Sequence, residues 1–185
     1  MKTSIQKITF AVLFALVTII PTNAQQFTHI RTMELNPFNE IKLSVDAEVI
    51  LLKSERNHLT LVGDSAYIAD LQVTNDNNDL SFTYQEDGDQ QVHRVVIEYT
   101  SLEKAITGGN GAYFFHKLDV ENLEVYNAFA SVMLNGYAKS IKIYSEEGDN
   151  DVTGLTADRM ELRIGDSATL LKREDGVLYS ARRNR

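Results

Sequence analysis

The feature that most constrains this chain is a repeat with a period near twenty residues, running from 102 to 176. Segments 102–113, 123–132, 141–152 and 160–170 each carry alternating apolar residues into a turn of Gly, Asn, Asp or small residues, and they start 21, 18 and 19 residues apart. A strand-rich unit of that length has little core of its own, so each copy must bury its inward face against its neighbours. The pattern predicts an all-β chain in which residues 102–176 stack as about four coils of a parallel β-helix-like solenoid.

The repeat also predicts its own register. Leu123-Glu124-Val125-Tyr126, Ile141-Lys142-Ile143-Tyr144 and Met160-Glu161-Leu162-Arg163 superpose without gaps, with two apolar residues inward and two polar or amphipathic residues outward in each. Stacking at the inter-strand spacing of about 4.8 Å puts Glu124, Lys142 and Glu161 in one outward column and Tyr126, Tyr144 and Arg163 in the next. A slip of one residue would turn charges and tyrosines inward, which specifies the register. Tyr113, Val132, Val152 and Leu170 recur further along the coils, as do Gly136 and Gly154, and Ala138 and Ala157, at positions suited to corners. No proline follows Pro37, so nothing interrupts a long ladder.

Before the repeat, the pattern is one of antiparallel hairpins. Residues 41–52 alternate with period two, from Ile41 and Leu43 to Val49 and Leu51, until Ile50 and Leu52 break the polar face. Residues 59–62 read as a short strand, and 67–71 as the one helical turn outside the leader. Residues 71–73 and 80–84 flank 75–79, a run of Asn and Asp that suits a hairpin connection. A polar turn at 86–91 leads into 92–99, where Val96 interrupts the alternation.

Residues 1–24 are expected to be a signal peptide: Lys2 and Lys7 precede an uncharged apolar run at 8–20, and Thr22-Asn23-Ala24 offers a cleavage site. The apolar run falls short of the ~20 residues needed to span a bilayer, so no membrane span is expected after cleavage. Removing the leader takes the formal charge from −8 to −10, because it holds two lysines and no acid. An acidic surface argues against nucleic-acid binding, which needs cations to neutralise phosphates. The basic tail at 181–185 reads as a solvated end. With no cysteine, the chain has neither disulfides nor thiolate metal sites. Residues 25–37 are expected as a lead-in and 38–180 as a single domain; no oligomeric state is specified.

The ordered pieces Phe38-Asn39-Glu40-Ile41-Lys42-Leu43, Ala47-Glu48-Val49, Leu59-Thr60-Leu61-Val62-Gly63-Asp64, Asn78-Asp79-Leu80 and Thr107-Gly108-Gly109-Asn110-Gly111-Ala112 resemble the auto-transporter adhesin head GIN domain family. The resemblance covers about 38 to 179. It implies a right-handed parallel β-helix-like fold, an exported envelope protein of the Bacteroidetes type, and no established catalytic activity. The family repeats a Gly-Ser-Gly-like turn in successive coils, whereas here only 108–111 keeps it; 127–131, 145–151 and 165–168 stand in its place. Only six residues follow Tyr179, so the membrane barrel of an auto-transporter is not expected.

Several constellations resolve as turns. Gly63-Asp64-Ser65 and Gly165-Asp166-Ser167 carry an esterase-like tripeptide, but that chemistry needs an α/β scaffold. The acidic stretch 146–151 has oxygen donors for Ca²⁺, yet it lacks the calcium-loop spacing and suits a tight corner. His29, His58, His93 and His116 show no zinc spacing. No cofactor is expected. A carboxylate pair for polysaccharide cleavage is the enzymatic alternative, although no pair is singled out.

What remains is an exported, non-catalytic binding or adhesion-type module for a glycan or an envelope protein, with a structural envelope protein acting through a protein partner as a further alternative. The candidate surface is Tyr126, Tyr144 and Arg163, with Phe114, Phe115 and Tyr137 nearby. Gly108, Gly109, Gly111, Gly136 and Gly154 are expected as structural turns.

Overall fold

A computed structural model describes residues 28–83, 92–174 and 177–182. The leader at 1–24, the turn at 86–91 and tail residues 183–185 lie outside them. The strands are β1 (Thr28–Glu34), β2 (Glu40–Ser44), β3 (Glu48–Lys53), β4 (His58–Asp64), β5 (Gln72–Asp76), β6 (Asp79–Thr83), β7 (Val92–Tyr99), β8 (Lys104–Gly108), β9 (Ala112–Asn127), β10 (Ser131–Glu174) and β11 (Val177–Arg182); one short helix, α1 (Ser65–Asp70), follows β4. They form one mixed sheet in the order β1-β4-β7-β3-β9-β8-β2-β6-β5, with β10 on β9 and β11 on β10, curled into an open half-barrel.

This differs from a right-handed four-coil solenoid preceded by separate hairpins. The chain's first half is woven into the repeat: β2 lies parallel to β8 and β3 parallel to the first arm of β9, so 40–53 forms a turn stacked directly on 104–116. On the other side of β3, β7 is parallel, and β4 and β1 then add antiparallel. Alternation reports which face of a strand is buried, not which strand lies beside it or in which direction; that is why the pairing was misread.

The parallel ladder itself keeps the expected register. Leu123, Val125 and Tyr126 of β9 pair with Ile141, Ile143 and Tyr144 of β10. Inward rows cross several strands: Ile41, Ala105, Val125 and Ile143 in one, and Leu51, Phe115 and Leu134 in another, all buried. Each fully buried large apolar side chain contributes about 1.5–3 kcal/mol, so such rows dominate the stability of the sheet.

One inward row turns polar. Leu43 is followed across the strands by Thr107, Asn127 and Ser145. Thr107 Oγ1 donates to Asn127 Oδ1 at 3.3 Å, Asn127 Nδ2 donates to Asn150 Oδ1 at 3.1 Å, and Asn150 Nδ2 donates to Ser145 Oγ at 2.9 Å. Because every member has a partner, this buried chain of side chains fixes the corners without an unsatisfied group.

Three local expectations change. Residues 41–52 are two strands, broken at 45–47, because Val45, Ala47 and Val49 are all buried while the chain turns a corner. Thr28–Glu34, expected as lead-in, is the edge strand β1 with Ile30 68% exposed. Met160, expected inward, is 38% exposed, since no further turn of the described chain stacks on it. The hairpin at 75–79 is as expected: Asn77 and Asn78 adopt φ of 51° and 65°, and β5 pairs antiparallel with β6.

Candidate functional site

The outward rows of the parallel ladder create the most distinctive surface. Glu40, Lys104, Glu124 and Lys142 are directly paired across β2, β8, β9 and β10, so their charges alternate in sign. Lys104 Nζ lies 2.9 Å from Glu40 Oε1 and Lys142 Nζ 3.0 Å from Glu124 Oε1. The hydrogen bond from Lys104 holds the Glu40 carboxyl below its ordinary range, and that from Lys142 does the same for Glu124. These groups are partly solvated, which keeps each pair weak on its own.

The next row brings the three candidate residues together. Tyr126 and Tyr144 stack with ring centroids 4.8 Å apart and planes 13° from parallel. Arg163 sits over the far face of the stack, its guanidinium carbon 5.3 Å from the Tyr144 centroid, and Lys104 Nζ lies 5.6 Å from the Tyr126 centroid. The order is therefore cation, ring, ring, cation. Ring faces are turned toward one another along the stack, so only their edges and hydroxyls face solvent; Tyr126 Oη donates to Glu124 at 3.2 Å.

Beside this ladder lies a cleft of about 750 Å³ that shares Glu40, Lys104 and Glu124 with it. Its other lining groups include Asn39, Glu103, Glu121 and Asn122, so it presents amides, carboxylates and ammonium groups together. Asn39 Nδ2 donates to Glu103 Oε2 at 3.2 Å, which orients two of these groups. Among the described carboxylates with a resolved shift, Glu40, Glu98 and Glu124, each is moved down by a cation.

The glycines expected at turns pack closely against earlier parts of the chain. A Cβ on Gly111 would lie 2.3 Å from the Val45 carbonyl oxygen, and one on Gly136, at φ +128°, would lie 2.4 Å from Leu118 backbone atoms. Gly109 is held beside Asp46, whose Oδ1 accepts from Asn110 N at 2.6 Å, while Gly108 faces Ser44 and Gly154 the Asn135 side chain. In the acidic stretch, Asp149 accepts from the Thr169 hydroxyl and Asp151 from Thr153 N at 2.8 Å. His58 lies near Glu34 and Glu98, His93 lies 3.7 Å from Asp64, and His116 stacks on Phe114. His29 lies in β1, and Ser65 opens α1. Phe115 is fully buried, and Tyr137 Oη donates to Asp158 at 2.8 Å.

A second surface was not assembled from sequence. Val96, Ile50, Phe114 and Met133 pair directly across β7, β3, β9 and β10, forming an outward apolar row. Ile50 and Val96 were visible as breaks in alternation, but only the register places them side by side. Nothing in the sequence joined the cleft residues Asn39 and Glu103, because they are 64 residues apart and local pattern does not report which distant segments meet.

Three comparisons bear on this geometry. The family model described as "Putative auto-transporter adhesin, head GIN domain" matches residues 37–173. A solved putative adhesin from Bacteroides fragilis has 16% identity and a TM-score of 0.59, with 78% of each chain covered. A putative lipid binding protein from Parabacteroides distasonis has 14% identity and a TM-score of 0.66, covering 78% of this chain and 66% of that one. A putative adhesin from the same organism has 13% identity and a TM-score of 0.55, covering 79% and 82%. At these identities the likeness is one of fold. No curated relative matches the chain.

Proposed function

We propose that this chain, which belongs to the auto-transporter adhesin head GIN domain family, is an exported, non-catalytic surface module that binds a hydroxyl-rich ligand of the glycan class. The single observation that carries this reading is the polar cleft alongside the ladder. Amide and carboxylate groups such as Asn39, Glu103 and Asn122 supply paired acceptors and donors at fixed positions, which is what vicinal hydroxyls require. The ladder residues Glu40, Lys104 and Glu124 form its rigid wall. Because the faces of Tyr126 and Tyr144 are engaged with each other, ring stacking on a sugar is the lesser contribution, and their hydroxyl edges extend the polar surface.

Binding of the purified chain to a panel of bacterial envelope and host glycans tests this. Glu103→Gln combined with Asn122→Ala should lower affinity at least about tenfold with an unchanged circular dichroism spectrum. Undiminished binding in that variant would remove the cleft from the account. Turnover of a bound polysaccharide would instead favour the enzymatic alternative.

A second reading, a structural envelope protein acting through a protein partner, is supported by the apolar row of Val96, Ile50, Phe114 and Met133. Met133 is 40% exposed there, and the Arg94–Glu48 ion pair borders the row. Apolar centres with charged rims suit protein contacts. A stoichiometric partner captured by the parent chain and lost in Met133→Glu, with no glycan bound, would select it.

A further inference from the structure

The two walls of the half-barrel carry opposite outward faces. On β2, β8 and the second arms of β9 and β10, the outward rows are charged, as in Glu40, Lys104, Glu124 and Lys142. On β1, β4, β7, β3 and the first arms of β9 and β10, one outward row runs Thr32, Thr60, Val96, Ile50, Phe114, Met133, each residue directly paired with the next. Its side chains grow from one edge to the other: two threonines, then Val and Ile, then Phe and Met. In the neighbouring row, Arg94 lies directly beside Glu48 on β7 and β3, the two middle strands of this wall. Arg94 Nη2 is 2.7 Å from Glu48 Oε2, so that charge is closed within the chain.

We propose that this wall is the isologous interface of a two-fold homodimer, packed outer face on outer face about an axis parallel to the strands and between β7 and β3. The inference rests on the second reading above, in which this face makes a protein contact, and names the partner as a second copy of the chain. Such an axis keeps each row in place and reverses the order of the strands. Met133 then falls opposite Thr32 of the second copy, Phe114 opposite Thr60 and Ile50 opposite Val96. Large side chains meet small ones all along the row, which is what interdigitation at the separation of packed sheets, about 10 Å, requires. A second copy supplies the reversed gradient automatically; an unrelated partner is under no such constraint. The same axis sets Glu48 of each copy opposite Arg94 of the other, joining the two ion pairs into one network of alternating sign. Six strands at about 4.8 Å and five residues at about 3.3 Å give a face of roughly 500 Å². Two such faces bury about 1,000 Å², the lower bound for a specific interface, so the dimer is a reversible one.

Sedimentation equilibrium of the purified chain from about 1 to 100 μM is the test, because contacts of this size hold in the micromolar range. A monomer–dimer equilibrium is expected, and Met133→Glu should weaken it at least about tenfold. If that variant fails to fold, Thr32→Glu, at an exposed position of β1, should do the same. Arg94→Glu alone and Glu48→Arg alone should each be monomeric, since like charges then face one another across the axis, whereas an equimolar mixture of the two should form a heterodimer. A chain that is monomeric throughout overturns the proposal; capture of a defined partner that is lost in Met133→Glu would then leave the protein-contact reading standing without the second copy. A dimer that persists in both Met133→Glu and Thr32→Glu, or charge variants that dimerise alone as well as mixed, also overturns it. So does sedimentation of a monomeric chain with phosphatidylglycerol vesicles that is lost in Met133→Glu, which would mark a membrane contact.

Discussion

Tyr126 and Tyr144, eighteen positions apart in the chain, lie ring on ring with centroids 4.8 Å apart. That distance is the spacing between neighbouring strands, about 4.8 Å, so the stack is a direct consequence of the parallel register and needs no adjustment of the backbone. Lys104 and Arg163 cap its two ends.

Contact between the two rings predicts a measurable coupling. A double-mutant cycle of Tyr126→Ala and Tyr144→Ala, read by urea denaturation, should give an interaction energy of about 0.5–1.5 kcal/mol. Additive single-variant effects would mean that each ring is held by its own strand alone.

Two buried tyrosines should respond in opposite directions to loss of the hydroxyl. Tyr113 Oη donates to Gly108 O at 2.8 Å and accepts from Val45 N at 3.2 Å, fastening the glycine corner to the preceding turn. Tyr99 is equally buried, but its hydroxyl has no partner among the described residues. Tyr113→Phe should cost about 1–3 kcal/mol, whereas Tyr99→Phe should be neutral or stabilising by about 1 kcal/mol, measured as unfolding free energies. Equal destabilisation by both would contradict this assignment.

The corner glycines should differ by what a Cβ meets. Gly136 combines φ +128° with backbone atoms of Leu118 at 2.4 Å, so Gly136→Ala should cost at least about 1–3 kcal/mol. At Gly154 the nearest group is the Asn135 side-chain amide, which can rotate away, and Gly154→Ala should lower the melting temperature much less.

Stability should fall at both pH extremes. Glu40, Glu98 and Glu124 are held below their ordinary value of 4.5 by Lys104, Arg56 and Lys142 respectively. Their contribution is present above pH 4.5 and is lost as the pH falls through the depressed folded values. At the alkaline end, burial pushes the Tyr113 phenol up to about 12 from 10.0, and Tyr99 also upward. The unfolded chain then loses its phenolic protons first, so stability declines as pH rises from 10 toward 12. Thermal melts across pH 3–12 check both limbs; Tyr99→Phe should soften the alkaline one.

Millimolar Ca²⁺ should leave the melting temperature unchanged, because Asp149 and Asp151 already accept hydrogen bonds from Thr169 and Thr153. A rise of several degrees that disappears in Asp149→Asn/Asp151→Asn would assign a calcium site to 146–151.

Some of the site was legible because local pattern and stacking repeat share a period. The apolar residues at 123, 125, 141 and 143 defined inward and outward faces, and the same spacing placed Tyr126 beside Tyr144 and Glu124 beside Lys142. Lys104 and Glu40 were missed as members of those rows because they belong to turns separated by 64 residues, with five strands and a helix between. Met160 was misplaced for a different reason: its sequence context matches Leu123 and Ile141, but burial also depends on what lies above it.

The sequence by itself determined the strand character, the inward face of each turn and the register of the repeated ladder, since alternation and period are properties of neighbouring residues. Only the tertiary structure decided that 40–53 stacks on 104–116, that the sheet is mixed, that a polar cleft opens beside the ladder and that Met160 is left exposed. Those features arise where distant strands meet or where stacking stops, and neither leaves a local mark in the chain.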